Sequence, residues 1–141
     1  MIFKMKKYLV ALIFPLLAGC DNEGSNNNNP YIPNYSFSID LNTNLPAYDQ
    51  LKFPGNGVYV PGVGALGIYV FNTGSGYNAF DAACPNQELS SCSTMTEDGI
   101  YAVCPCDDAQ YSFYTGIAEG KQYRMKPYRV QANGDNIRVY N

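Results

Sequence analysis

The stretch "AVCPCDDAQYSF" (residues 102–113) places Cys104 and Cys106 either side of one proline. A short apolar run leads into Cys104. Behind the acid pair Asp107-Asp108 the residues alternate, with Tyr111 and Phe113 two apart. This is the pattern of two short strands joined by a cysteine-bearing loop. Upstream lie Cys84 and Cys92, so four of the five cysteines fall within residues 84–106. Clustered, even-numbered cysteines in an exported chain imply disulfides. Cys104 and Cys106 are too close in sequence to close an unstrained ring with each other. Each is therefore expected to pair with Cys84 or Cys92, and the residues alone leave both cross-pairings open.

The surrounding texture is all-β. Thirteen tyrosines, seven phenylalanines and thirteen glycines favour short strands with tight turns, and no window carries helical periodicity. "YSFSIDLN" alternates, with Tyr35, Phe37, Ile39 and Leu41 on one face. "GVYVPG" and "LGIYVFN" are split by a glycine turn near residues 62–67. "NTGSGYNAFD" reads as a hairpin about Gly74-Ser75-Gly76. "GIYAVC" and "AQYSFYTG" are further strands. The chain closes on a hairpin at Asn133-Gly134-Asp135, with Tyr128, Val130, Ile137 and Val139 as core positions. Residues 35–141 are expected to form one domain, a small antiparallel sandwich or partly open barrel.

The N-terminus reads as an export signal. Lys4, Lys6 and Lys7 precede an apolar run at residues 8–17, too short to span a bilayer. "LAGC" (residues 17–20) resembles the lipobox of bacterial lipoproteins. The resemblance implies cleavage of residues 1–19 and lipidation of Cys20, with several acyl chains giving a stable anchor. Polar residues 21–34 would be a flexible tether. Localisation is then the bacterial cell envelope, in the outer membrane. Without residues 1–19 the chain keeps six Lys+Arg against twelve Asp+Glu. So acidic a chain argues against nucleic acid as a partner and leaves membrane contact to the lipid.

"ACPNQ" followed by "VCPCDDAQYSFYTG" resembles the two cluster-binding loops of Rieske-type iron–sulfur proteins, and the whole is similar to Rieske-like, ferredoxin-type lipoproteins of Bacteroidetes. The family pattern is C-x-H in the first loop and C-P-C-H-G-S in the second. The resemblance puts Cys84 and Cys104 on the two cysteine ligands, Asn86 and Asp107 on the two histidines, and Asp108 and Ala109 on the following glycine and serine. Cys106 falls on a cysteine that forms a loop–loop disulfide in some members, whose partner position is Leu89 here, three residues before Cys92. The chain has no histidine, so the two imidazoles of a standard Rieske centre have no source. The resemblance thus implies Cys84–Cys104 in place of the cluster, with Cys92–Cys106 keeping the loop–loop link.

The expected function is a lipid-anchored envelope module with a degenerate Rieske-like domain and no cofactor or metal. It would be non-catalytic, binding an envelope protein partner or serving a structural role. The alternative is a [2Fe–2S] electron carrier using unusual ligands. Four cysteines spaced C-x7-C…C-x-C do not match a usual zinc pattern. Asp107, Asp108, Glu88, Glu97 and Asp98 lack the spacing of a calcium loop. Ser90, Ser91 and Ser93 have no histidine to activate them, and a C-x-C oxidoreductase would need a group to lower a thiol pKa.

Overall fold

The computed structural model describes residues 29–141. The expected signal segment, Cys20 and the first part of the tether lie outside the described residues. Nine strands run β1 Ser38–Asn42, β2 Gly57–Val60, β3 Ile68–Asn72, β4 Tyr77–Asp81, β5 Thr96–Asp98, β6 Tyr101–Val103, β7 Gln110–Ser112, β8 Pro127–Asn133 and β9 Asn136–Tyr140, with a 3-10 turn at Asp49–Lys52. Six form an antiparallel sheet in the order β1-β9-β8-β4-β3-β2, and three form a smaller sheet, β5-β6-β7. The all-β expectation holds, as do the hairpins β3–β4 and β8–β9.

β3 explains how the sheets come together. Its five residues, "IYVFN", are all buried. Side chains alternate across a strand, and here both faces find a core. Ile68 and Val70 join Leu41, Leu51, Val58, Ile137 and Val139 in an aliphatic core. Tyr69 and Phe71 join Phe80, Met95, Tyr111 and Phe113 in an aromatic one that also holds Cys84 and Cys104. Phe113 stacks on Phe71 at 5.2 Å and lies 5.3 Å from Tyr69. The Tyr69 hydroxyl donates to the Met95 carbonyl at 2.8 Å. Burial, with smaller effects from Glu97 and Tyr59, pushes its pKa up to about 12, so it stays a proton donor. The small sheet is thereby fixed to the back of β3–β4.

Asp81, at the end of β4, is fully buried. Its carboxylate accepts from the amides of Ala65 (2.6 Å), Leu66 (3.3 Å) and Ala83 (2.9 Å) and from the Tyr128 hydroxyl (2.7 Å). One carboxylate thus ties the β2–β3 turn to β4 and β8, and charge-assisted bonds offset its desolvation. Gly64 makes the approach possible: its φ is +66°, and a Cβ there would lie 2.5 Å from the carboxylate. Burial and the adjacent carboxylate push the Tyr128 pKa far up.

Two expectations change. Tyr35 is half exposed because β9 ends opposite Ser38, leaving no strand for it to pair with. Val130 packs against the aliphatic core as expected, but from its edge, and stays partly exposed. Residues 29–34 are packed rather than free: Ile32 is buried, Asn29 Nδ2 donates to the Pro85 carbonyl at 2.7 Å, and Tyr31 meets Tyr123 edge-on. The buried Lys126 ammonium donates to the Pro33 carbonyl and to Asn34 Oδ1. Burial lowers its pKa, against the opposing effect of Asp81.

Candidate functional site

Two loops carry the cysteines. The first leaves β4 and closes on itself: the Cys84 amide donates to the Ser93 carbonyl at 2.7 Å, and the Ser90 amide to Ser93 Oγ at 2.7 Å. The second joins β6 to β7, closed by Cys104 N to Ala109 O (2.9 Å) and Asp108 N to Cys104 O (2.8 Å). Asp108 takes a left-handed φ of +60° where the family pattern has glycine. Aspartate tolerates that region better than most residues, so the tight turn forms here without a glycine.

The two disulfides are Cys84–Cys104 and Cys92–Cys106, with Cα–Cα distances of 5.6 and 5.2 Å. This is the pairing the resemblance implied. Cys84 and Cys104 lie inside the aromatic core, whereas Cys92 and Cys106 are partly exposed. Cys92, three residues beyond the position the resemblance implied for the partner of Cys106, is nonetheless the residue bonded to it. The sulfurs of Cys84, Cys104 and Cys106 all lie within 4.8 Å of one another, the one such grouping of potential metal ligands among the described residues.

Asn86 and Asp107, which the resemblance sets against the two histidine ligands, are both engaged by other parts of the chain. Asn86 Oδ1 accepts from the Tyr123 amide (2.8 Å), and its Nδ2 donates to the Tyr123 carbonyl (2.8 Å) and the Tyr111 hydroxyl (2.7 Å). Every strong bonding direction of the amide but one is used. Tyr111 is fully buried. Burial raises its pKa, only partly opposed by the Asn86 bond. Asp107 Oδ1 accepts from the Ala109 amide at 3.0 Å, and Oδ2 from Lys121 Nζ at 2.9 Å. Burial pushes the Asp107 pKa up, but the Lys121 bond, the backbone amides and the Lys121 charge outweigh it and hold the carboxyl below its ordinary range.

Sequence reasoning missed Gln87, Tyr111, Lys121 and Tyr123 as parts of this site. Gln87 Nε2 donates to Cys104 Sγ at 3.3 Å. Ser90 Oγ lies 3.2 Å from Cys92 Sγ and 3.9 Å from Cys106 Sγ. A usable signal was the polar cap on the first loop, "NQELSS", facing the C-x-C. The acids weighed as a calcium cluster do not converge: Glu97 and Asp98 sit exposed on β5, and Asp107 is paired with Lys121.

No family model and no curated protein matches this chain. Among solved structures, the apo form of a quaternary ammonium Rieske monooxygenase aligns at 15% identity and a TM-score of 0.50, over 77% of this chain and 33% of that one. A chain from the complex of reduced oxygenase and oxidized ferredoxin in carbazole 1,9a-dioxygenase aligns at 20% identity and a TM-score of 0.49, over 74% of this chain and 92% of that one. The ferredoxin of carbazole 1,9a-dioxygenase from Nocardioides aromaticivorans aligns at 17% and 0.47, over 75% and 97%. At these identities the likeness speaks to architecture alone, and the architecture of this chain is Rieske-like.

Proposed function

We propose that this chain is a lipid-anchored module of the bacterial cell envelope, held in the outer membrane through Cys20, whose Rieske-like frame presents a disulfide-bonded tip to a protein partner and carries no iron–sulfur cluster. The donor set supports this reading. The two cysteines that correspond to iron ligands are bonded to each other. The Asn86 amide, a poor iron ligand, is engaged by Tyr111 and Tyr123, and the Asp107 carboxylate is paired with Lys121. These residues do not fit a centre that needs two thiolates and two imidazoles. Lysines 4, 6 and 7, the apolar run and "LAGC" support the anchor. The acid excess speaks for a protein partner rather than nucleic acid.

A second reading, an electron carrier with a four-cysteine cluster, draws on the proximity of the three sulfurs. It requires both disulfides to be open. Iron and acid-labile sulfide analysis of protein taken from its native membrane separates the two. The first reading expects colourless protein without stoichiometric iron. A visible absorbance band with about two irons per chain would establish the second.

A further inference from the structure

The two disulfides differ in access although they lie side by side, with three of their four sulfurs within 4.8 Å of one another. Cys84 and Cys104 are 1% and 0% exposed, so an external thiol cannot reach them. Cys92 and Cys106 are partly exposed, and residues 88–91 beside them are exposed as well. Cys106 Sγ is nonetheless within 4.8 Å of both inner sulfurs. Two side chains offer hydrogen bonds to sulfur. Gln87 Nε2 points at Cys104 Sγ. The Ser90 hydroxyl is within reach of Cys92 and Cys106, and it must be the donor because a disulfide sulfur carries no proton.

We propose that the four cysteines form a two-stage thiol–disulfide exchange site whose outer pair is opened by an external dithiol and whose inner pair then rearranges. One thiolate of the external dithiol attacks Cys92 Sγ. The Cys92–Cys106 bond breaks, a mixed disulfide forms at Cys92, and Cys106 leaves as a thiolate near the Ser90 hydroxyl. The second thiol of the dithiol attacks the mixed disulfide, releasing Cys92 as a thiol and the external compound as its disulfide. Two electrons and two protons have passed to the protein. The Cys106 thiolate then attacks Cys84 Sγ, forming Cys84–Cys106 and expelling Cys104 as a thiolate, to which Gln87 Nε2 donates. This last step moves no net electrons. Attack at Cys104 instead would close the strained C-x-C ring. Hydrogen bonding to the leaving sulfur lowers its basicity, and a less basic leaving thiol departs faster. Gln87 thus acts directly on the leaving sulfur of the exchange.

This inference rests on the disulfides and not on the lipid anchor or on the partner. It is tested on the full chain with limiting dithiothreitol, acid quenching, alkylation of free thiols and peptide-resolved mass spectrometry, which keeps Cys20 distinct. In the species that has gained two electrons, alkylated Cys92 is expected in every molecule. Alkylation is expected to be shared between Cys106 and Cys104, with Cys84–Cys106 and Cys84–Cys104 peptides both present. Gln87→Leu is expected to slow the appearance of the Cys104 label about tenfold, with the rate of Cys92 labelling unchanged and the thermal unfolding profile retained. Gln87→Asn, which keeps an amide donor, should lie between. If Cys84–Cys104 stays intact in every two-electron-reduced molecule and Cys104 is never labelled, the proposal is overturned. Equal labelling rates in Gln87→Leu and the parent protein would remove Gln87 from it.

Discussion

The two cores on either side of β3 are built by different means. The aliphatic core lies within strands of four to seven residues that pair along most of their length. It is closed by the Asp81 carboxylate, and among the described residues no cysteine takes part in it. The aromatic core is covered by strands of three residues each. It is completed by stacked rings, by the Asn86 amide and by a disulfide running through its interior. A sheet of nine residues gains little from its ladder alone. Covalent links and side-chain bonds therefore carry more of the order there, and redox conditions should act on one half of the molecule far more than on the other.

The strongest way to break this contrast is through the frame. Asp81→Ala would leave the amides of Ala65, Leu66 and Ala83 and the Tyr128 hydroxyl without their buried acceptor. At 1–3 kcal/mol per unsatisfied group, and not additively, a loss of about 3 kcal/mol or more is expected. Urea unfolding should show it as a single cooperative shift under both oxidising and reducing conditions.

The cysteine half should respond next. The double substitution Cys84→Ala/Cys104→Ala removes a cross-link closing a loop of 20 residues. About 2–4 kcal/mol is expected, with hydrogen-exchange protection falling in β5–β7 and largely kept in β8–β9. Equal loss of protection in both sheets would erase the distinction between the cores.

Asn86→Ala probes the first-loop position that the resemblance sets against a histidine ligand. It strips the partners from the Tyr123 amide and the Tyr111 hydroxyl, for an expected loss of about 1–3 kcal/mol. If stability is unchanged, Asn86 is not the pin described above.

The smallest effect is electrostatic. The folded Asp107 pKa is lowered, so its contribution is present above the unfolded carboxylate pKa and is lost as pH falls through the folded value. Stability should be flat from about pH 5 to 7 and decline below about pH 4. The acid-induced part of that decline should shrink in Lys121→Gln and in high salt.

The long hairpins could be read from the sequence because alternation and turn residues act locally: "IYVFN", "YNAFD" and the last two strands carry their own signals. β5 could not, since "TED" exposes all three residues and is held only by pairing with β6. Tyr35 continued the alternation of β1, but β9 stops short of it. At the site, the cysteine pairing was implied only by the resemblance to the two Rieske-type loops, since the residues alone leave both cross-pairings open. The partners of Asn86 and Asp107 were not legible, because Lys121 and Tyr123 come from a segment without a motif and reach the loops only in the folded chain. The docking of residues 29–34 was hidden for the same reason: a polar composition gives no hint that Lys126 and Pro85 supply its partners.

We propose that disulfides stand where the two loops would otherwise hold a cluster, and the proposed function depends on it. It is tested most directly by acid-quenching protein from its native membrane, alkylating before and after reduction, and mapping each cysteine while measuring iron on the same sample. Cys84, Cys92, Cys104 and Cys106 are expected to be unlabelled before reduction and labelled after it, the linked peptides to be Cys84–Cys104 and Cys92–Cys106, and iron not to be stoichiometric. Four cysteines labelled without reduction, together with about two irons per chain, would contradict it.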